Sequence, residues 1–112
     1  MPTFRQRQIV RVPFPYTDRN TRQHRPALVI SNGAIGDGDS LIWVAMITSA
    51  ENRRWPGDHL IVDFASAGLP IPSLVRTAKV TTVEINDAEP VGQLDDQLIA
   101  EVMATIIGVL SA

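Results

Sequence analysis

An arginine and two hydroxyl residues stand at the ends of two neighbouring predicted strands. Arg25 precedes the apolar segment PALVISN, and Thr48 and Ser49 close the segment LIWVAMITS. If these strands pair antiparallel, the start of the first lies beside the end of the second, so the three side chains meet. A planar guanidinium can bind two phosphate oxygens, and a hydroxyl can donate to a third. The spacing therefore permits a phosphate site, although an arginine before a strand is also a common solvated edge residue.

Few other residues offer material for a catalytic centre. The chain has no cysteine, and its two histidines, His24 and His59, are not at metal-ligand spacing. No serine lies in a G-x-S-x-G turn. The segment GAIGDGDS leads into a strand instead of a helix and lacks the closing glutamate of a calcium loop, so it indicates a hairpin loop. We expect neither a metal nor another cofactor.

RNA can supply the missing nucleophile, because its 2′-hydroxyl can attack the adjacent phosphate without a metal or a covalent enzyme intermediate. The protein must then align the 2′-oxygen, stabilise charge on the phosphate oxygens and move protons at both ends. Arginine and hydroxyl groups suffice for the first two tasks. His24 is a candidate for the third, but successive strand residues face opposite ways. It can share a site with Arg25 only if it still lies in the preceding loop, and an ordinary loop histidine is the alternative.

Charge is spread unevenly along the chain. The net charge of -2 and the pI near 5.5 argue against a protein that coats nucleic acid indiscriminately. Six arginines nevertheless fall within residues 1–25, opposed only by Asp18, whereas residues 84–101 hold six acidic residues and no lysine or arginine. This asymmetry allows a local phosphate-binding surface, with ordinary solvated faces as the alternative.

Length and composition predict one folded domain over residues 1–112, and they favour a cytoplasmic location. The 112 residues are 45% hydrophobic, which is enough for a core. The arginines near the N-terminus are not followed by an apolar signal segment, and the longest apolar run, residues 41–47, is too short to cross a membrane. The lack of cysteine also fits the cytoplasm.

The hydrophobic pattern predicts a mainly β fold, a small barrel with a C-terminal helix. A first strand over residues 8–14 ends at Pro13 and Pro15, and a second begins at Pro26, because proline would break an interior ladder. Further strands are predicted over residues 41–49, with Trp43 in the core, and then over residues 59–64 and 73–84.

The last predicted element is an amphipathic helix. Apolar residues recur at helical spacing over residues 98–110, and Leu94 and Asp95 suit the N′ and N-cap positions. Leu94 and Ile99 are spaced for a hydrophobic staple. Earlier in the chain, Trp55 fits either base stacking or a dimer contact.

Four segments resemble the MazF/PemK family of toxin–antitoxin endoribonucleases. They are VPFPYTDRNTRQHRPALVISN, MITS, GLPIPSLVRTAKVTTVE and GQLDDQLIAEVMATIIGVL, in order over nearly the whole chain. The resemblance implies an SH3-like barrel of the CcdB/MazF type, a homodimer, and metal-independent cleavage of single-stranded RNA. It also implies a MazE-like antitoxin whose disordered acidic tail folds onto the RNA groove.

The resemblance implies roles for particular residues. The family's catalytic arginine, in R-P-x-L-V-x-S, falls on Arg25, and its catalytic threonine, at the end of I-T-S, falls on Thr48. Arg25 would stabilise the charged transition state and Thr48 would hold a phosphate oxygen. The residues expected to contact RNA around this pair are Tyr16, Arg22, His24, Ser49, Arg53 and Lys79. The tyrosine would stack on a base or pack on the barrel, and the cations would bind phosphates or remain surface charges.

One departure from the family keeps other functions open. Members commonly place Gly-Asp just before the first strand, where this chain has Arg7 and Gln8, so the turn there must be built differently. A degenerate relative would bind RNA or antitoxin without cleaving. The CcdB branch of the fold instead poisons DNA gyrase without enzymatic activity, a role in which Arg25 and Thr48 have no obvious purpose.

Overall fold

Six strands form one antiparallel sheet that curls into a half-barrel, followed by one helix. The computed structural model describes residues 3–15 and 22–111, and of residues 14, 15, 22 and 23 only the backbone. The strands are β1 (Gln8–Pro15), β2 (Arg22–Val29), β3 (Leu41–Ser49), β4 (Asp58–Ile61), β5 (Ser73–Glu84) and β6 (Glu89–Gln93), and the helix is α1 (Asp96–Leu110). Their order across the sheet is β4-β5-β3-β2-β1-β6. The predicted fold class, a mainly β small barrel with a C-terminal helix, is confirmed.

Both faces of the central strands are buried, which explains why their sequences read as continuous apolar runs. Successive residues alternate between two hydrophobic clusters, so Ala27 and Met46 join one, and Leu28 and Ala45 the other. The second cluster lies beneath α1, whose Val102 is fully buried in it. The helix therefore covers one face of the sheet.

The predicted bounds of β3 and β5 agree with the structure, as does the start of α1. Asp95 is the N-cap, and its Oδ1 accepts a hydrogen bond from the backbone N–H of Leu98 at 2.7 Å. Leu94 is buried beside Ile99 in one cluster, consistent with the predicted staple. Local chemistry is sufficient to define these elements.

The predicted strand limits at the prolines are wrong. β1 continues through Pro13 to Pro15, and Pro26 lies inside β2, opposite Arg11. Pairing of β1 with β6 ends at Arg11, and pairing of β2 with β3 begins only at Ala27. Each proline thus has one side without a ladder, where a missing N–H breaks no hydrogen bond.

Two other strands differ from prediction. β4 ends at Ile61, because hydrogen bonds from Ala67 N to Asp63 O and from Gly68 N to Ala65 O close a turn directly after it. β6 was not predicted, since its five residues include a proline and a glycine, which signal loops. A Cβ on that glycine, Gly92, would lie 2.0 Å from Ala67 O, so this close approach of two backbones requires glycine.

Trp43 is not in the core as predicted but half exposed, with 50% of its surface accessible. It lies on the same face of β3 as Ala45 and Ile47, which are buried in the cluster beneath α1. The helix covers that end of the strand and leaves Trp43 uncovered. Val80, which lies opposite Ala45 in β5, is also exposed. Strand alternation predicted the face of the sheet on which Trp43 lies, but it did not predict whether the helix covers the side chain there.

Arg7 builds the turn before β1 and joins it to α1. Its φ of 95° lies in the left-handed region, which is uncommon for a non-glycine residue. Its backbone pairs with Val29 O and Leu94 N, at 3.0 Å each. Its guanidinium donates to Leu94 O through Nε at 3.0 Å and Nη2 at 2.7 Å, and Nη1 pairs with Asp96. The arginine therefore ties the first strand to the start of the helix.

Across residues 3–15 and 22–111, no helix is long and apolar enough to pass through a membrane.

Candidate active site

The strand register brings Arg25 towards Thr48. β2 and β3 pair antiparallel with Ala27 opposite Met46 and Leu28 opposite Ala45. The same register, continued two residues past the last pair, sets Arg25 opposite Thr48. The two residues predicted from strand ends therefore belong to one end of the sheet, and both line the same pocket.

This pocket has a volume of about 410 Å³ and carries positive charge. Arg11, His24 and Arg25 line it, and the described lining residues include no aspartate or glutamate. Hydroxyl groups come from Thr48 and Ser49 in β3 and from Ser73 at the start of β5. The opposite wall is apolar and consists of Gly68, Leu69, Pro70, Ile71 and Val91. Such a pocket can hold a phosphate against its cations and a base or other flat group against its wall.

A second pocket of about 410 Å³ lies between β4 and the start of α1. Its described lining contains Asp63, Asp95 and Glu101 but no lysine or arginine. Like charges would repel a phosphate there. The cationic pocket at the end of β2 and β3 is consequently the better candidate for a nucleic-acid site.

Thr48 is nearly inaccessible, with 5% of its surface exposed, although it lines the pocket. Its Oγ1 accepts a hydrogen bond from Asn52 Nδ2 at 2.6 Å. The next residue, Ser49, pairs with Ser73 in β5, and its Oγ accepts from the N–H of Glu51 at 3.2 Å. Ser49 thus helps to close the turn that carries Asn52, besides lining the pocket.

His24 and Arg25 line one pocket although both lie in a strand. Alternation predicted that the two residues could share a site only if His24 belonged to the loop, and this expectation is wrong. The alternative prediction, an ordinary loop histidine, is also wrong, because His24 lies in β2. His24 is an exposed residue of β2 opposite Pro13. The β2–β3 ladder stops at Ala27, so the pocket reaches the open edge of β2, where successive side chains are both accessible.

The remaining predicted contacts lie elsewhere or outside the described side chains. Arg53 is exposed in the β3–β4 loop and Lys79 is half-buried in β5, and neither lines the cationic pocket. Lys79 falls in residues 77–79, where the β3–β5 register shifts. Tyr16 lies outside the described residues, and Arg22 is described only as a backbone pair with Pro15.

Sequence reasoning missed two polar residues of this region. Arg11 lines the pocket from β1, because the register sets it opposite Pro26, next to Arg25. Asn52 reaches Thr48 because the chain turns immediately after β3. An asparagine soon after a predicted strand end indicated a turn there, because asparagine favours turns, but it did not indicate the contact with Thr48. The cross-strand position of Arg11 had no local signal.

A buried ion pair supports the loop between β3 and β4. Asp58 and Arg76 expose only 1% and 8% of their side chains, and Arg76 Nη2 lies 2.9 Å from Asp58 Oδ2. Arg76 Nη2 also donates to Arg53 O at 2.7 Å, and its Cζ lies 4.1 Å from the ring centroid of Trp55. Trp55 is therefore packed on an arginine, and the base stacking or dimer contact expected of it stays a prediction.

The pKa of Asp58 reflects opposing effects. Burial raises the pKa, but the hydrogen bond from Arg76 and the backbone N–H of Trp55 outweigh it, with further help from the charges of Arg76 and Arg54. The pKa of Asp58 consequently lies below its ordinary value of 3.8. The carboxylate stays ionised and keeps the loop anchored at neutral pH.

No group of three or more histidine, cysteine, aspartate or glutamate side chains is placed to hold a metal ion in the part of the chain that the structure describes. The described lining of the cationic pocket offers arginine, histidine and hydroxyl groups. These residues can bind an anion, donate hydrogen bonds to it and exchange a proton.

The six-stranded half-barrel with its C-terminal helix is the fold of MazF-type toxins. The family of PemK-like, MazF-like toxins of type II toxin–antitoxin systems matches residues 5–110, and the chain belongs to this family. The predicted MazF/PemK resemblance is therefore confirmed. A comparison with characterised protein sequences gave no significant match.

Solved structures show the same fold at low sequence identity. The MazE–MazF complex (Form-II) from Deinococcus radiodurans aligns with a TM-score of 0.75 and 20% identity, over 99% of this chain and 98% of that one. The Mycobacterium tuberculosis toxin MazF-mt6 gives 0.67 and 22%, over 92% and 94%. An endoribonuclease in complex with its cognate antitoxin, from a mycobacterial species, gives 0.73 and 15%, over 98% and 95%. At these identities the likeness concerns the fold alone.

Proposed function

We propose that this chain is an endoribonuclease toxin that cleaves single-stranded RNA, without a metal, in the pocket of Arg25 and Thr48. The observation that carries the proposal is the convergence of these two residues in a cationic pocket whose described lining has no acidic group. Membership of the PemK/MazF toxin family supports the reaction class. The likeness to a protein named an endoribonuclease supports it further.

The reaction needs no group beyond the RNA and these side chains. The 2′-oxygen attacks the adjacent phosphorus, a new P–O2′ bond forms and the P–O5′ bond breaks. The products are a 2′,3′-cyclic phosphate and a 5′-hydroxyl. One proton leaves the 2′-oxygen and another reaches the 5′-oxygen. His24 is the histidine among the described lining residues, and it is the candidate for these proton transfers.

Arg25 and Thr48 would act on the phosphate between these events. The guanidinium can bind two phosphate oxygens at once and stabilise the charge that develops on them. The Thr48 hydroxyl can donate to a further oxygen. A donor aimed at developing charge contributes roughly 10²–10³-fold in rate. The apolar wall of Leu69, Pro70 and Ile71 would hold a neighbouring base while water is displaced.

The family also suggests partners and a place of action. The Deinococcus radiodurans structure is a MazE–MazF complex, and the mycobacterial endoribonuclease is in complex with its cognate antitoxin. We propose a corresponding antitoxin for this chain, with an acidic disordered tail that competes with RNA for the cationic pocket. A homodimer is proposed on the same ground, and the cytoplasm, where messenger RNA is translated, as the site of action.

The test is cleavage of end-labelled single-stranded RNA in excess EDTA. Wild-type protein is compared with Arg25→Ala, with Thr48→Val, which keeps the shape but removes the hydroxyl, and with Arg5→Ala, which removes a charge outside the pocket. We expect cyclic-phosphate and 5′-hydroxyl ends from wild type and Arg5→Ala. A loss of about 10²–10³-fold is expected in the two pocket variants.

Three results would oppose the proposal. RNA that is bound but stays intact across many sequences would indicate a binding-only relative. Intact RNA together with inhibition of DNA gyrase would instead indicate a CcdB-like poison. Cleavage that EDTA abolishes would contradict the metal-independent chemistry.

A further inference from the structure

The side chain of Asn52 makes a short hydrogen bond to Thr48, which lines the cationic pocket. Asn52 Nδ2 lies 2.6 Å from Thr48 Oγ1, and Asn52 itself is exposed on the β3–β4 loop. An amide nitrogen only donates, so Thr48 Oγ1 is the acceptor. We propose that Asn52 is a positioning residue that makes the Thr48 hydroxyl a donor to a phosphate oxygen of the substrate. This inference rests on the proposed function.

The hydroxyl of Thr48 has one hydrogen and two lone pairs. Asn52 occupies one lone pair, and this directs the hydrogen away from Asn52. Among the described residues, the Thr48 hydroxyl donates to none. The side chain is nearly inaccessible but lines the pocket beside Arg25. A phosphate oxygen held by the guanidinium is then the acceptor that the hydroxyl can meet.

The loop holds Asn52 in place before substrate arrives. At its first end, Asn52 N donates to Ser49 O at 3.1 Å, and Ala50 N donates to Pro72 O at 2.9 Å. At its second end, Asp58 Oδ2 accepts from Trp55 N at 2.9 Å and pairs with Arg76. A donor fixed in advance stabilises developing charge without reorganisation during the reaction.

Two substitutions at Asn52 differ in their expected effect on the rate of RNA cleavage. Asn52→Asp keeps the shape but replaces the donor by an acceptor, so the Thr48 hydroxyl turns to the new carboxylate and away from phosphate. The carboxylate also adds a negative charge beside the pocket. Asn52→Ala removes the constraint and lets the hydroxyl rotate, so that it still meets phosphate part of the time. A residue that merely closed the turn would show no such difference in rate.

The experiment measures single-turnover RNA cleavage in EDTA for wild type, Asn52→Asp, Asn52→Ala and Thr48→Val. It includes the double variant Asn52→Ala/Thr48→Val and the control Glu51→Gln, which alters a neighbouring exposed carboxylate. We expect Asn52→Asp to lose about 10²-fold or more, like Thr48→Val. Asn52→Ala should lose about tenfold in the wild-type background and nothing in the Thr48→Val background, because coupled residues are not additive. Glu51→Gln should cleave normally.

Affinity for RNA with a 2′-deoxy nucleotide at the cleavage position gives a second readout that needs no chemistry. Asn52→Asp and Thr48→Val should both weaken this binding, by about tenfold for a lost charge-assisted hydrogen bond. Urea unfolding of each variant confirms that the fold is retained.

The outcomes separate the two proposals. If wild type cleaves, Thr48→Val is slow and Asn52→Asp cleaves normally, the positioning role is wrong while the proposed function holds. The positioning role is also wrong if Asn52→Ala lowers the cleavage rate by the same factor in the wild-type and Thr48→Val backgrounds. If wild type binds the deoxy-substituted RNA but cleaves nothing, the proposed function fails and the affinities of the variants decide the positioning role. A wild type that neither binds nor cleaves overturns both.

Discussion

Asp58 and Arg76 form a buried ion pair that is also the anchor of the loop carrying Asn52. Arg76 Nη2 lies 2.9 Å from Asp58 Oδ2 and 2.7 Å from Arg53 O, so one guanidinium satisfies a buried carboxylate and a loop carbonyl. The pair lies on strands β4 and β5, whose register sets Asp58 directly opposite Arg76. A charge pair on the sheet thus supports a polar residue next to the pocket.

Removal of one member of this pair should lower the free energy of unfolding more than removal of both charges. Arg76→Met leaves a buried, unpaired carboxylate, which costs about 3–5 kcal/mol. The double variant Arg76→Met/Asp58→Asn removes both charges and should recover part of that loss. Urea unfolding measures the free energy of unfolding of each. A double variant that is less stable than Arg76→Met would show that the unpaired Asp58 carboxylate is not what destabilises the single variant.

Stability should fall in acid through Asp58. Its pKa is lowered in the folded state, so its contribution is complete above the ordinary value of 3.8 and is lost as the pH falls through the lower folded pKa. The free energy of unfolding of wild type should therefore decline with acid more steeply than that of Asp58→Asn. The measurement is urea unfolding between about pH 6 and pH 2. Parallel curves for the two proteins would show that another group is responsible.

Arg7 combines an unfavourable backbone conformation with useful contacts, and two substitutions separate them. Arg7→Gly and Arg7→Ala both remove the guanidinium bonds to Leu94 O and Asp96, but only alanine keeps a Cβ at the φ of 95°. Arg7→Ala should be less stable than Arg7→Gly by about 1 kcal/mol. Thermal or urea unfolding checks the order. Equal stabilities would mean that the turn relaxes when the guanidinium is absent.

Arg11 should contribute to RNA affinity more than to the chemical step. It lines the pocket from β1, whereas Arg25 lies nearer Thr48 in the continued register. Arg11→Ala should weaken binding of deoxy-substituted RNA and make the slope of log K against log salt shallower by about 0.7 for one lost phosphate contact. Arg5→Ala, which removes a charge outside the pocket, is the control. An unchanged slope would exclude a phosphate contact at Arg11.

Several elements were predictable from sequence because their signals are local. The branched and aromatic apolar run of β3, the alternation of β5, the N-cap at Asp95 and the helical spacing after it need only the properties of neighbouring residues. The segments that resemble the MazF/PemK family also lie within the chain itself, and the family assignment is confirmed. Arg25 and Thr48 were placed together on the assumption that two strands pair, and β2 and β3 do pair antiparallel.

Other features depend on which strands meet and where their pairing stops. Pro26 is compatible with a strand interior because β2 gains its second neighbour only at Ala27. Trp43 is exposed because α1 covers one end of β3 and not the other. β6 forms despite its proline and glycine because β1 supplies a partner strand.

The sequence by itself determined the helix and the main strands, because these follow from residue type and local spacing. Its resemblance to known toxins determined the family, which the family match confirms. It also predicted Arg25 and Thr48 as a pair at two strand ends. Only the tertiary structure decided that Arg11 and His24 share the pocket and that Asn52 donates to Thr48. It also decided that the pair Asp58 and Arg76 anchors the loop. These contacts depend on register and on a chain reversal, which set distances between residues that carry no mark of each other in the sequence.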